Sequence, residues 1–172
     1  PTSAEAQGRV QKVQSLFTNR IADGTFFTEE LNNKGLTEDL EPCKFMAKNV
    51  WYRGIVDLLI INEEKGSGLI VDYKTGKRPD KADTGQLELM ALAVFKHYPH
   101  IKNIKAGLMF LVKDTLVKAK YSSDQQDDLW VKWKDSVDSL NSCYTNGVWN
   151  ARENFTCRKW CPVTDCIHNG KS

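Results

Sequence analysis

The sequence predicts an α/β fold with a central mixed β-sheet and helices on both faces of that sheet. Two nearly continuous apolar stretches, "GIVDLLII" and "GLIVDYKT", flank the turn sequence "NEEKGSG" and predict a buried antiparallel hairpin. A stretch at residues 86–98 has apolar side chains at helical spacing. A further apolar run, "IKAGLMFLV", predicts another buried strand. Helices and strands therefore alternate along the chain, as a sheet covered by helices requires.

The elements before the hairpin are less regular. Residues 2–22 predict a helix, because Thr2 and Glu5 form a capping-box pattern and apolar residues follow at helical spacing. The stretch "DGTFFTEEL" then predicts a turn and a short strand. The polar stretch "NNKGLTEDLEP" predicts a loop, and residues 44–61 are rich in β-branched and aromatic side chains.

The elements after the hairpin have clearer boundaries. The helix at 86–98 carries a stripe that we expect to be buried, formed by Leu87, Met90, Ala91, Val94, Phe95 and Tyr98. The alternating stretch "LVKAKY" predicts an edge strand or a hairpin partner for "IKAGLMFLV". The last long helix is expected at 123–146, and a cysteine-rich tail at 150–172. A length of 172 residues fits a single domain, 1–172, with a core at about 25–121.

The composition indicates which binding partners and which cellular compartment are expected for the protein. The net charge is only +2, so any binding of nucleic acid must come from a local basic patch. No apolar run approaches the ~18 residues of a membrane helix, so no membrane partner is expected. Three of the five cysteines lie in the last sixteen residues, which favours a reducing, cytoplasmic compartment over a secreted disulfide framework.

A group of charged residues interrupts the two apolar strands. Asp72 and Lys74 are two positions apart on a strand, so their side chains share a face, and the hairpin brings Asp57 near them. Two buried carboxylates repel each other unless a cation lies between them, and Mg²⁺ or Mn²⁺ suits such oxygen ligands. An ion pair between Asp57 and Lys74 is the alternative. The basic residues that follow, Lys77, Arg78 and Lys81, suit a rim that binds phosphate.

Three sequence blocks in this order, "GIVD", "DYKTG" and "GQLELMALAV", resemble the PD-(D/E)XK nuclease superfamily. Within it they are similar to the RecB-like exonuclease branch, which includes phage-encoded and CRISPR-associated enzymes. The resemblance implies a restriction-endonuclease-like core. It also implies that Asp57 and Asp72 are metal ligands together with the backbone carbonyl of Tyr73, that Lys74 is the catalytic lysine, and that Gln86 faces the site.

The same resemblance implies a Mg²⁺- or Mn²⁺-dependent DNA exonuclease that prefers single-stranded ends. It would act in recombination, repair or phage genome processing, in the cytoplasm of a bacterium or a phage-infected cell. Residues expected to bind DNA are Arg53, Lys77, Arg78 and Lys81. The alternatives are a structure-selective endonuclease of the same fold and a catalytically silent nucleic-acid-binding protein. The sequence does not indicate the oligomeric state.

Two positions differ from the pattern of the branch. Met90 stands where a tyrosine often follows the glutamine by four residues, and the first helix lacks the histidine that many relatives use as a metal ligand. Candidates for a third metal ligand are Glu29 or Glu30, water, and a residue upstream of Pro1, but a solvated strand end is the favoured interpretation of either glutamate.

The tail contains Cys157, Cys161, Cys166 and His168. Iron–sulfur members of the branch carry a similar set of three cysteines near the C-terminus plus a distant fourth, which is not evident here. The sequence therefore leaves three interpretations: an iron–sulfur cluster, a zinc ion, or a tail without metal, the last being favoured.

Overall fold

The computed structural model describes residues 4–8, 10–11, 27–28, 34–151 and 153–170. Two compact units are present, Pro1–Asp135 and Ser136–Ser172. Residues 4–8 and 10–11 are helical, which agrees with the predicted first helix, and the rest of that helix lies outside the described residues.

Within the described residues, the strands of the first unit form two sheets. Their bounds are β1 Phe27–Thr28, β2 Lys34–Leu36, β3 Pro42–Lys44, β4 Tyr52–Gly54, β5 Leu58–Asn62, β6 Ser67–Lys74, β7 Asn103–Phe110 and β8 Thr115–Ser122. The central sheet has the order β1-β5-β6-β7-β8, and the small sheet has the order β3-β2-β4. The expected mixed sheet is confirmed, because β6 pairs with β7 in parallel and the other pairs of the central sheet are antiparallel.

The buried hairpin predicted from the two apolar runs is formed by β5 and β6. Its first strand is shorter than expected, since β5 begins at Leu58 and Asp57 lies at an exposed bend before it. The physical reason is that the chain changes sheets here: β4 ends at Gly54 in the small sheet, and residues 55–57 carry it into the central one.

The helix α1 (Gly85–His97) connects β6 to β7 and packs on one face of the central sheet. The predicted stripe is confirmed, because all six of its side chains are buried in one cluster with residues of the sheet, among them Leu59, Ile70 and Leu108. The other side of α1 presents Leu92 and Ala93 to a second cluster. The helix is therefore buried on two sides, which fixes its position over the sheet.

The small sheet corrects one prediction. The stretch "NNKGLTEDLEP" was expected to be a loop, but Lys34–Leu36 forms β2 and pairs with both β3 and β4. Leu36 is fully buried against Leu40 and α1, so one apolar side chain anchors an otherwise polar segment. His97, the last residue of α1, adds a hydrogen-bond contact between its Nε2 and the Gly35 carbonyl at 2.9 Å.

The helix α2 (Gln126–Asn146) agrees with the expected C-terminal helix and follows a 3-10 turn at Ser123–Gln125. In the second unit, the short helix α3 (Phe155–Lys159) lies in the tail. The division of a single domain into core, helix and tail stays a prediction. None of the helices in the described parts of the chain has both the length and the apolar character needed to span a bilayer.

Candidate active site

Asp57 is held against the end of β6. Its Oδ2 accepts the backbone N–H of Tyr73 at 2.7 Å. The ladder ends at the pair of Leu58 with Val71, and Asp57 and Asp72 are the residues next to that pair on the two chain segments. The hairpin therefore brings together the two carboxylates that the sequence singled out, although Asp57 is exposed and Asp72 is buried.

Lys74 links the aspartate of its own strand to α1. Its Nζ lies 2.8 Å from Asp72 Oδ2 and donates to Gln86 Oε1 at 2.9 Å. Within the described residues, Lys74 thus pairs with Asp72, and the alternative ion pair with Asp57 is wrong. The reason is strand periodicity, because residues 72 and 74 project from the same face, and α1 covers that face.

The Asp72 carboxylate has little access to water, since its side chain is only 12% exposed. A buried carboxylate is costly unless a cation compensates it, and here the Lys74 ammonium is that cation. Its Oδ2 makes no hydrogen bond in the described structure besides this ion pair. The Asp57 carboxylate beside this ion pair gives the three groups a net negative charge, which a divalent cation would compensate.

Tyr52 on β4 is a candidate site residue that the sequence did not indicate. Burial, and secondly the charge of Asp72, raise the pKa of its hydroxyl, so the tyrosine stays neutral and lies within the electrostatic reach of Asp72. Gly54 leaves room for its ring, because a Cβ at that position would lie 2.8 Å from Tyr52 Oη. The available signal was the tyrosine in "WYRG", immediately before the "GIVD" block.

The oxygen atoms at the end of β6 fit Mg²⁺ or Mn²⁺. The Asp57 and Asp72 carboxylates and the Tyr73 carbonyl are hard donors, and Mg²⁺ is commonly bound by one or two carboxylates while keeping several waters. No group of three or more His, Cys, Asp or Glu side chains suited to a metal occurs in the described residues. Glu29 and Glu30, two candidates for a third ligand, lie outside those residues.

A cavity of about 370 Å³ lies beside these residues. The predicted basic rim lines it, since Lys77, Arg78 and Lys81 border it together with Lys74 and Gln86. Arg53, the fourth predicted DNA contact, does not line this cavity: its Nε donates to the Phe45 carbonyl at 2.7 Å.

Met90 cannot contact a substrate, because only 7% of it is exposed and it packs in the apolar cluster beneath α1.

The cysteine tail folds around Asn169, which is 3% exposed. Its Nδ2 donates to the Val163 carbonyl at 2.7 Å, and the neighbouring Gly170 N–H donates to the Cys157 carbonyl at 3.0 Å. Cys157, Cys161 and Cys166 are half-buried free thiols, and His168 faces Glu153 at 3.6 Å. In the described tail these thiols and His168 do not form a metal-binding group, so a cluster or zinc has no support from this geometry.

A search of the curated proteins gives no match. The family model of the PD-(D/E)XK nuclease superfamily matches residues 4–166, nearly the whole chain. The match agrees with the mixed sheet and its flanking helix. The chain belongs to the PD-(D/E)XK nuclease superfamily.

Proposed function

We propose that this nuclease is a Mg²⁺- or Mn²⁺-dependent DNA exonuclease in which Asp57, Asp72 and Lys74 form the active site. The single observation that carries the proposal is the contact of Lys74 Nζ with both Asp72 and Gln86. A lysine held at 2.8 Å from a buried carboxylate has a fixed position, whereas an exposed lysine samples many rotamers.

The metal would be held by the Asp57 and Asp72 carboxylates and the Tyr73 carbonyl. When bound, it would supply polarisation of the phosphate and a lowered pKa for the attacking water. The chain's own contribution is orientation: the Tyr73 N–H fixes Asp57, and Gln86 fixes Lys74. From there the Lys74 ammonium orients the water and stabilises the charge that develops on the phosphate oxygens.

Action at DNA ends, and roles in recombination, repair or phage genome processing, are proposed from the similarity of the three sequence blocks to the RecB-like branch. We further propose that Tyr52 is a positioning residue. Its neutral hydroxyl near Asp72 sets the environment of the carboxylate without taking part in bond cleavage.

The test is degradation of end-labelled DNA, single- and double-stranded, linear and circular, with Mg²⁺, Mn²⁺ or EDTA. The wild type is compared with Asp72→Ala and Lys74→Ala, and with matched controls at the exposed residues Asp124→Ala and Lys105→Ala. We expect metal-dependent shortening of linear DNA, intact circles, at least a 100-fold loss in both site variants and near wild-type rates in the controls.

The other outcomes contradict defined parts of the proposal. Cutting of circular DNA would replace the exonuclease with a structure-selective endonuclease. Activity of Asp72→Ala or Lys74→Ala equal to that of the controls would show that the site is assigned wrongly. Absence of cleavage with every metal and substrate would indicate a nucleic-acid-binding protein without catalysis.

A further inference from the structure

The 370 Å³ cavity beside the catalytic residues is bordered by residues of the central sheet as well as by the basic rim. Leu108 and Phe110 on β7 also line it, although both are almost fully buried, and the parallel register places them directly beside Asp72 and Lys74. The cavity therefore shares the sheet face of the active site and lies one strand away from it.

The charges of the rim are not equivalent. Lys74 is engaged with Asp72 and Gln86, and Arg78 pairs with Asp80 at 2.8 Å. Lys77 and Lys81 are exposed and make no ion pair within the described residues. Two ammonium groups are therefore available to an anion at the cavity.

Acidic groups at the cavity do not cancel these two charges. Asp83 is the acidic residue among those that line the cavity, and its Oδ1 accepts the backbone N–H of Gly85 at 2.8 Å. This contact ties the carboxylate to the start of α1. The described rim thus keeps a net positive charge, with Lys77 and Lys81 as its unpaired cations.

We propose that this cavity binds the terminal nucleotide of the DNA strand through a phosphomonoester. A terminal phosphate carries a charge of about −1.5 to −2 at pH 7, whereas an internal phosphodiester carries a single negative charge. Two unpaired lysines match the former. The inference rests on the proposed exonuclease function and adds end recognition to it.

A consequence is that the free mononucleotide is also a ligand. The cavity adjoins the catalytic residues, so a terminal nucleotide seated there places the neighbouring phosphodiester near Asp72 and Lys74. The expected product is then a mononucleotide, and it competes with the DNA end for the same cavity.

The experiment measures binding of thymidine 5′-monophosphate, thymidine 3′-monophosphate and thymidine to the full chain by isothermal titration calorimetry. The variant is Lys77→Glu/Lys81→Glu, and the control is Lys48→Glu/Lys65→Glu, which reverses two exposed lysines outside the cavity. We expect one of the monophosphates to bind at least tenfold more tightly than thymidine, and this preference to be lost only in the cavity variant. Equal binding of nucleotide and nucleoside, or an equal loss in both double variants, would overturn the inference.

A second arm separates the strand end from the free nucleotide. Oligothymidylates with a 5′-phosphate, a 3′-phosphate or hydroxyl ends are degraded by the same proteins. We expect the cavity variant to slow the phosphorylated substrate at least tenfold more than the hydroxyl substrate. Equal slowing of all substrates would indicate general contact with the DNA backbone and overturn the inference.

The two proposals fail in different ways. Cleavage that depends on Asp72, without any preference for a terminal phosphate, would leave the nuclease in place and remove the end-binding cavity. Specific binding of a monophosphate by a protein that cleaves nothing would keep the cavity as a nucleotide site and remove the exonuclease.

Discussion

Replacing Lys74 by alanine should lower stability without metal and increase the stabilisation that metal provides. The ammonium is the cation that compensates Asp72, whose side chain is 12% exposed, while that of Lys74 is 35% exposed. Breaking a fully buried ion pair costs about 3–5 kcal/mol, and breaking an exposed one about 0–1 kcal/mol. The intermediate exposure of this pair leads us to expect a loss of about 2 kcal/mol in the free energy of unfolding.

The loss converts into a measurable shift. For a chain of this length, 1 kcal/mol corresponds to roughly 2–4 °C in Tm, so Lys74→Ala in EDTA should melt about 4–8 °C below the wild type. A metal at ten times its Kd stabilises the folded state by about 1.4 kcal/mol. In the variant the metal no longer competes with an ammonium for Asp72, so its stabilising shift should exceed that of the wild type.

The assay is thermal unfolding in EDTA and in a series of Mg²⁺ and Mn²⁺ concentrations. Lys105→Ala is the matched control, because Lys105 is exposed and the alternation along β7 directs it to the opposite face of the sheet. The reasoning would be refuted if Lys74→Ala melted with the control in EDTA. A metal-induced shift smaller than that of the wild type would refute it as well.

Three further predictions concern Gln86, Gly54 and Tyr52. Gln86→Leu removes the acceptor of the hydrogen bond from Lys74 Nζ, so kcat should fall at least tenfold with little change in Tm. An unchanged kcat in a steady-state cleavage assay would argue against a role of Gln86 in positioning Lys74. Gly54→Ala places a Cβ 2.8 Å from Tyr52 Oη and should cost about 1–3 kcal/mol in urea unfolding, and a neutral result would contradict the close packing. The pKa of Tyr52 is raised in the folded state, so above about pH 10 the unfolded state loses its proton first and stability falls as the pH rises. Tyr52→Phe should reduce this alkaline loss between pH 8 and pH 10.5, measured by urea unfolding, and an identical loss in the variant would contradict the assigned pKa.

The sequence by itself determined the elements whose signals are local. The hairpin of β5 and β6 follows from two apolar runs around a turn sequence, and the stripe of α1 follows from helical spacing, because both periodicities are properties of short segments. The shared face of Asp72 and Lys74 was predictable for the same reason. The superfamily was recognisable because its three blocks lie within residues 53–94 and keep their order.

Only the tertiary structure decided which groups meet. The strand β2 was missed because its burial depends on one residue, Leu36, packing beneath a helix more than fifty positions away. Lys74 contacts Asp72 and Gln86 because α1 packs on this face of the central sheet. The charge of Asp72 affects the pKa of Tyr52 because of where the small sheet packs. Sequence spacing fixes the direction of a side chain, but its partners come from other elements, and their positions are set by the packing of the whole core.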